Sequence, residues 1–123
     1  HIKEGLYRVT HGENGTSATT FRTYSPQVAG KTGTAEAFYS GPNPAYKNEA
    51  VENSTFISYA PYDNPEIVVA VVAPYFKDGS PSDYAAKVAK QVYDAYFAKT
   101  NSSSQTNEAT VNSQIRQQQN NRR

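Results

Sequence analysis

Cysteine, methionine and tryptophan are all missing from this 123-residue sequence, and leucine occurs once. Without cysteine there is no disulfide, no thiolate metal site and no thiol nucleophile, although the absence assigns no compartment. A chain that begins at His1 and holds no methionine is expected to be a processed or excised piece of a longer polypeptide. Leu, Ile, Val and Phe supply 20 of the 123 residues, a share at which strongly charged chains are disordered. The net charge is only +1, so charge repulsion does not drive disorder here. No apolar run approaches the ~20 residues of a membrane helix. The longest, Ile67 to Ala73, has a strand's length, and no signal or anchor is expected in this piece.

The apolar deficit is uneven. Residues 99 to 123 hold three apolar side chains, Ala109, Val111 and Ile115, too few to offset the entropy of ordering them. The composition therefore predicts a globular body over 1–98 and a disordered polar tail over 99–123. The body carries 8 Lys/Arg against 10 Asp/Glu, and the tail carries Lys99, Arg116, Arg122 and Arg123 against Glu108. Neither balance is that of a nucleic-acid-binding protein. The three tail arginines read as a solvated end, with contact to an anionic polymer as the sharper reading.

Along the body, Ile2, Leu6 and Val9 make one apolar stripe at helical spacing, with Gly12 placed as a left-handed cap. A Thr/Ser/Gly-rich loop follows, anchored by Phe21 and Tyr24. Gln27 to Phe38 reads as a strand interrupted by Gly30 and Gly33, which suggests close approach of backbone or ligand. Residues 40 to 53 read as a surface connection. Ser54 to Ala60 and Ile67 to Ala73, joined by a turn at Tyr62 to Glu66, predict an antiparallel hairpin. The unbroken IVVAVVA run predicts burial on both faces. Ser80 as N-cap, Pro81 in the first turn and Asp83 near the positive end of the dipole predict a helix start. An amphipathic helix then carries Tyr84, Ala85, Val88, Ala89, Val92, Tyr93 and Tyr96 on one stripe. Three strands and two helices cover a doubly buried strand poorly, so part of the covering layer is expected from sequence outside this chain.

The segment that carries chemistry is Ala29-Gly30-Lys31-Thr32-Gly33-Thr34-Ala35-Glu36. A phosphate-binding loop needs a glycine five residues before the lysine and a helix after it. Pro26 stands at that position, and the residues after Lys31 are β-branched and glycine-rich. On a strand, Thr32 and Thr34 point to one face and Lys31 to the other. An edge strand offers free amides to a peptide-like ligand, and Gly33 permits close backbone approach.

This segment, followed by Phe56-Ile57-Ser58-Tyr59-Ala60-Pro61, an Asn64-Pro65 turn, Ile67 to Val72 and a closing helix, resembles the C-terminal end of a class B penicillin-binding protein transpeptidase domain. The likeness covers about residues 1 to 97 and includes the Gly15-Thr16 loop after the first helix. A class A relative would more often have Thr-Thr-Asn where this chain has Thr34-Ala35-Glu36. The resemblance implies an α/β fold of α+β type, a DD-peptidase/β-lactamase-like antiparallel sheet with helices on both faces, incomplete in this chain. It implies a serine D,D-transpeptidase that cross-links peptidoglycan and is acylated by β-lactams, without cofactor or metal. Thr34 would give its backbone N–H to the oxyanion hole. Thr32 and Thr34 would bind the carboxylate of a D-Ala-D-Ala stem peptide or β-lactam, Gly33 would lie against its backbone, and Lys31 would supply positive charge.

The family's Ser-x-x-Lys and preceding Ser-x-Asn boxes are absent. Tyr46-Lys47-Asn48 and Tyr62-Asp63-Asn64 mimic a variant of the second box, but both follow the Lys-Thr-Gly box, whereas the family's second box precedes it. The nucleophile is therefore expected on the upstream part of the same domain, and the whole enzyme outside the cytoplasmic membrane, held by an anchor upstream. The rivals are a β-lactamase or D,D-carboxypeptidase, a non-enzymatic β-lactam sensor, and a small sheet module that folds alone. His1 and His11 lack partners at metal-ligand spacing. Glu36 reads as a polar residue rather than a base, and Tyr84, Tyr93 and Tyr96 read as packing residues. Tyr39 and Tyr46 flank a loop expected to border the substrate cleft.

Overall fold

A computed structural model describes residues 1–76 and 83–121. The chain divides into two compact units, His1–Gln91 and Val92–Arg123. In the first, helix α1 (Ile2–His11) and a single turn α2 (Ala18–Phe21) precede three strands, β1 (Ala29–Phe38), β2 (Ala50–Ala60) and β3 (Ile67–Phe76). Helix α3 (Tyr84–Asn120) starts in the first unit and makes up nearly all of the second.

The sheet is antiparallel in the order β1-β2-β3. Lys31 pairs with Ile57 and Thr34 with Ser54 across β1 and β2, while Phe56 pairs with Val71 and Tyr59 with Val68 across β2 and β3. Because partners share a face, Gly30, Thr32 and Thr34 lie with Ser54, Phe56 and Ser58 on one face. Lys31 and Gly33 lie with Thr55 and Ile57 on the other. The first face holds the core: Phe56 is 1% exposed and stacks on the fully buried Phe21 of α2, with ring centroids 5.7 Å apart. Each such ring stabilises the fold by roughly 1.5–3 kcal/mol through burial. Ala85, Ala86 and Ala89 are also fully buried. With alanine at those positions the start of α3 approaches close enough for the Ala85 amide to donate to Ser54 Oγ at 3.4 Å.

Several expectations change. Gly12 does end α1, but at φ −65 and ψ 155, extended and not left-handed. Its glycine is needed for space, because a Cβ there would stand 2.5 Å from the Arg8 carbonyl oxygen. Strand β2 begins at Ala50, and β3 runs on to Phe76. The polar letters of 50–53 hid a strand whose pairing with Ala35 to Phe38 is supplied by β1. The expected double burial of β3 is found on one face only: Val69 is 7% exposed, whereas Val68 and Val72 are each 68% exposed. On that second face Ile57 of β2 is likewise 56% exposed. The proposed Ser80-Pro81 helix start lies outside the described residues. Asp83 precedes α3, its carbonyl accepting from the Lys87 amide at 2.9 Å.

Helix α3 continues through Asn120, into the segment expected to be a polar tail. The physical reason is local: no glycine or proline interrupts 84–121. Thr100, Ser102, Ser103, Ser104, Thr106 and Thr110 each turn the hydroxyl back onto the carbonyl four residues earlier. That bonding lets polar residues sit inside a helix. Residues 98 to 121 remain exposed throughout, as their composition requires.

Candidate functional site

The site is the outer edge of β1, which pairs only with β2 among the described residues. Successive residues of a strand turn their backbone groups to alternate sides. The Gly33 carbonyl faces inward and accepts from Thr55 Oγ1 of β2 at 3.1 Å. The Thr32 carbonyl takes the Lys31 ammonium instead. Thr34 shares Thr32's side by this alternation, so its N–H looks out from the open edge. Lys31, Thr34 and Glu36 are exposed, and Thr32 and Gly33 are half-buried. The edge thus presents an amide, two hydroxyls and an ammonium within four residues, a donor set for an anionic, peptide-like ligand.

The two glycines of this segment have packing reasons of their own. A Cβ on buried Gly30 would stand 2.5 Å from Phe56 Cζ, and one on Gly33 would stand 2.5 Å from Thr55 Oγ1. The glycines therefore let β2 side chains fill the sheet against β1.

A contact that the sequence did not reveal joins Thr16 to this edge. Its Oγ1 lies 2.9 Å from Thr32 Oγ1, across 16 residues of chain. The loop that carries it is tightly held: the Ser17 amide donates to the Val9 carbonyl at 3.0 Å, and the Ala18 amide to the Gly15 carbonyl at 3.0 Å. A Cβ on Gly15 would stand 2.5 Å from the carbonyl oxygens of both Arg8 and Val9. The only sequence signal was the Gly15-Thr16 pair just beyond a helix end.

Tyr39 and Tyr46 come together at 6.0 Å with edge-on rings, and Tyr75, unnoticed in the sequence, completes the group at 4.8 Å from Tyr39. The Tyr39 amide donates to the Glu49 carbonyl and the Asn48 amide to the Tyr39 carbonyl, closing the loop. A cavity of about 300 Å³ lies between Tyr39, Asn43, Tyr46, Glu49, Val51 and Tyr75. Tyr39 follows Thr34 by five residues, roughly 17 Å along a strand, so a ligand at the box must extend along the edge to reach it.

Glu36 pairs in register with Glu52 across β1 and β2. His11 packs in parallel on Tyr7 at 4.4 Å. Burial pushes its pKa below the usual 6.5, opposed by the backbone groups of Val28 and Tyr7. Among the described residues no three His, Asp or Glu side chains cluster as a metal site would need, and no helix is long and apolar enough to cross a membrane.

Residues 1–95 match the family model for the penicillin binding protein transpeptidase domain. The peptidoglycan D,D-transpeptidase MrdA of Haemophilus influenzae is 39% identical over 100 residues, 77% of this chain and 15% of that protein. Penicillin-binding protein 2A of Bacillus subtilis is 36% identical over 98 residues, 78% of this chain and 13% of that protein. Among solved structures, Pseudomonas aeruginosa PBP2 in complex with WCK 5153 superposes with a TM-score of 0.61 at 34% identity, over 77% of this chain and 18% of that one. The chain thus spans about a seventh of the length of these curated relatives.

Proposed function

This chain belongs to the penicillin-binding protein transpeptidase domain family, and from that membership we propose that it forms the substrate-binding edge of a peptidoglycan D,D-transpeptidase. The observation that carries the reading is the open edge of β1, where Ala29 to Glu36 presents the Thr34 amide with the Thr32 and Thr34 hydroxyls on one face. In this reading the Thr34 N–H stabilises the oxyanion of the tetrahedral intermediate. Such a donor lowers the barrier by roughly 3–4 kcal/mol in comparable serine enzymes. The Thr32 and Thr34 hydroxyls bind the terminal carboxylate of a D-Ala-D-Ala stem peptide or of a β-lactam. Lys31 adds positive charge, and Gly33 lets the ligand backbone lie close.

The serine nucleophile stands in Ser-x-x-Lys on another part of the same polypeptide, with a second serine box beside it. It attacks the D-Ala-D-Ala carbonyl, releases the terminal D-alanine and forms an acyl-enzyme, which an amine of a second stem peptide resolves. That remaining part of the domain also covers the exposed sheet face of Ile57, Val68 and Val72, which are 56%, 68% and 68% exposed. The reaction takes place on the outer face of the cytoplasmic membrane. We extend the domain to residue 98 and treat 99–123 as an appendage outside it.

Labelled penicillin tests the reading. The complete polypeptide should acquire one covalent adduct on a serine outside these 123 residues, and this chain alone should acquire none. A label on any serine of this chain would sink the proposal.

A further inference from the structure

We propose that Thr16 is a positioning residue of the carboxylate-binding face, donating its hydroxyl hydrogen to Thr32 Oγ1 so that the single hydrogen of Thr32 is directed to the ligand. This deepens the transpeptidase reading and rests on it. The argument starts from hydrogen inventory. An ionised carboxylate only accepts, and a threonine hydroxyl carries one hydrogen. With Thr16 Oγ1 at 2.9 Å, one of the two hydroxyls donates to the other. If Thr32 were the donor, its lone pairs would face the carboxylate and repel it. Only the opposite direction leaves Thr32 free to donate outward, and a hydroxyl that accepts one hydrogen bond donates the next more strongly.

The loop geometry fits a fixed donor. Thr16 itself is exposed, so its side chain does not serve as core packing. Its neighbours are locked, because Gly15 has backbone oxygens 2.5 Å from where a Cβ would be and Ser17 is fully buried. The sequence Gly15-Thr16-Ser17 therefore places one hydroxyl on a tightly held loop beside the box.

The test uses the complete polypeptide and compares a penicillin with its methyl ester, which has no carboxylate. Thr16→Val keeps the shape and removes the donor, and Thr16→Ser keeps the donor. Because carboxylate binding is shared by the ground and transition states, the loss should fall on the binding constant and spare the maximal acylation rate. Thr16→Val should weaken binding of the acid about fivefold, the worth of one hydrogen bond, and leave acylation by the ester as in the unmodified protein. Thr16→Ser should behave as the unmodified protein. An unchanged Thr16→Val, an equal loss on acid and ester, or a Thr16→Ser as poor as Thr16→Val would each overturn the proposal while leaving the transpeptidase reading standing. Failure of the unmodified polypeptide to react with penicillin would overturn both.

Discussion

His11 and Thr32 illustrate how much a side chain's setting matters beyond its identity. Burial lowers the pKa of His11 below 6.5 in the fold, against the opposing backbone groups of Val28 and Tyr7. The unfolded chain takes up the proton first as pH falls, so stability is fullest above pH 6.5 and declines below it. Thermal melting of the polypeptide should therefore show a midpoint that drops from pH 7 towards pH 5, and His11→Phe, which keeps a ring on Tyr7, should flatten that slope. Parallel slopes in the two proteins would remove His11 as the cause. For Thr32, removal of the hydroxyl in Thr32→Val should weaken binding of a carboxylate-bearing β-lactam about tenfold, as expected for a lost hydrogen bond to a charged group. Unaltered binding would show that the carboxylate goes elsewhere. The residue types of the box were legible in the sequence because strand alternation alone sorts Lys31 from Thr32 and Thr34. Thr16 was not, because its partner is set by the path of a loop between two elements.

Elements differ in how far their own letters determine them. The loop between α1 and α2 depends on Gly15, whose missing Cβ lets the chain pass under the end of α1. Gly15→Ala forces a methyl group against two backbone carbonyls, which cannot swing aside as a side chain would. We expect a loss of about 1–3 kcal/mol, read as a lowered melting midpoint; a change under half of the lower figure would mean that the loop relaxes freely. Helix α3 shows the opposite dependence. Its first turns bury Ala85, Ala86 and Ala89, whereas residues 98 to 121 bury nothing. A helix without a packed face is marginal in water. Ending the chain after Lys99 should reduce the helical circular dichroism signal and leave the melting midpoint unchanged, and a fall in midpoint would show that the segment packs after all. The composition of that segment excludes a core but not a helix.

At the scale of the molecule, the sheet is half dressed. Ile57, Val68 and Val72 stand exposed on the face opposite Phe56 and Val69, a surface of the kind that marks an interface. The isolated chain should bind an apolar fluorescent dye strongly, and Val68→Thr with Val72→Thr should reduce that signal. The same pair of changes in the complete polypeptide should lower its stability, because there the proposed covering part buries both side chains. Equal dye binding by the paired variant and the unmodified chain would locate the apolar surface elsewhere.

The antiparallel hairpin, the helix after it and the sorting of Lys31 from Thr32 and Thr34 onto opposite faces of β1 follow from the sequence by itself, because periodicity, turn residues and strand alternation are local properties. The scarcity of leucine and methionine likewise foretold a core too small for its sheet. Tertiary structure alone decided which face of β3 is covered, that Thr16 reaches Thr32, and that Tyr75 joins Tyr39 and Tyr46. Each of these depends on side chains far apart in the chain meeting across packed elements, and no local pattern of letters specifies the distance between them.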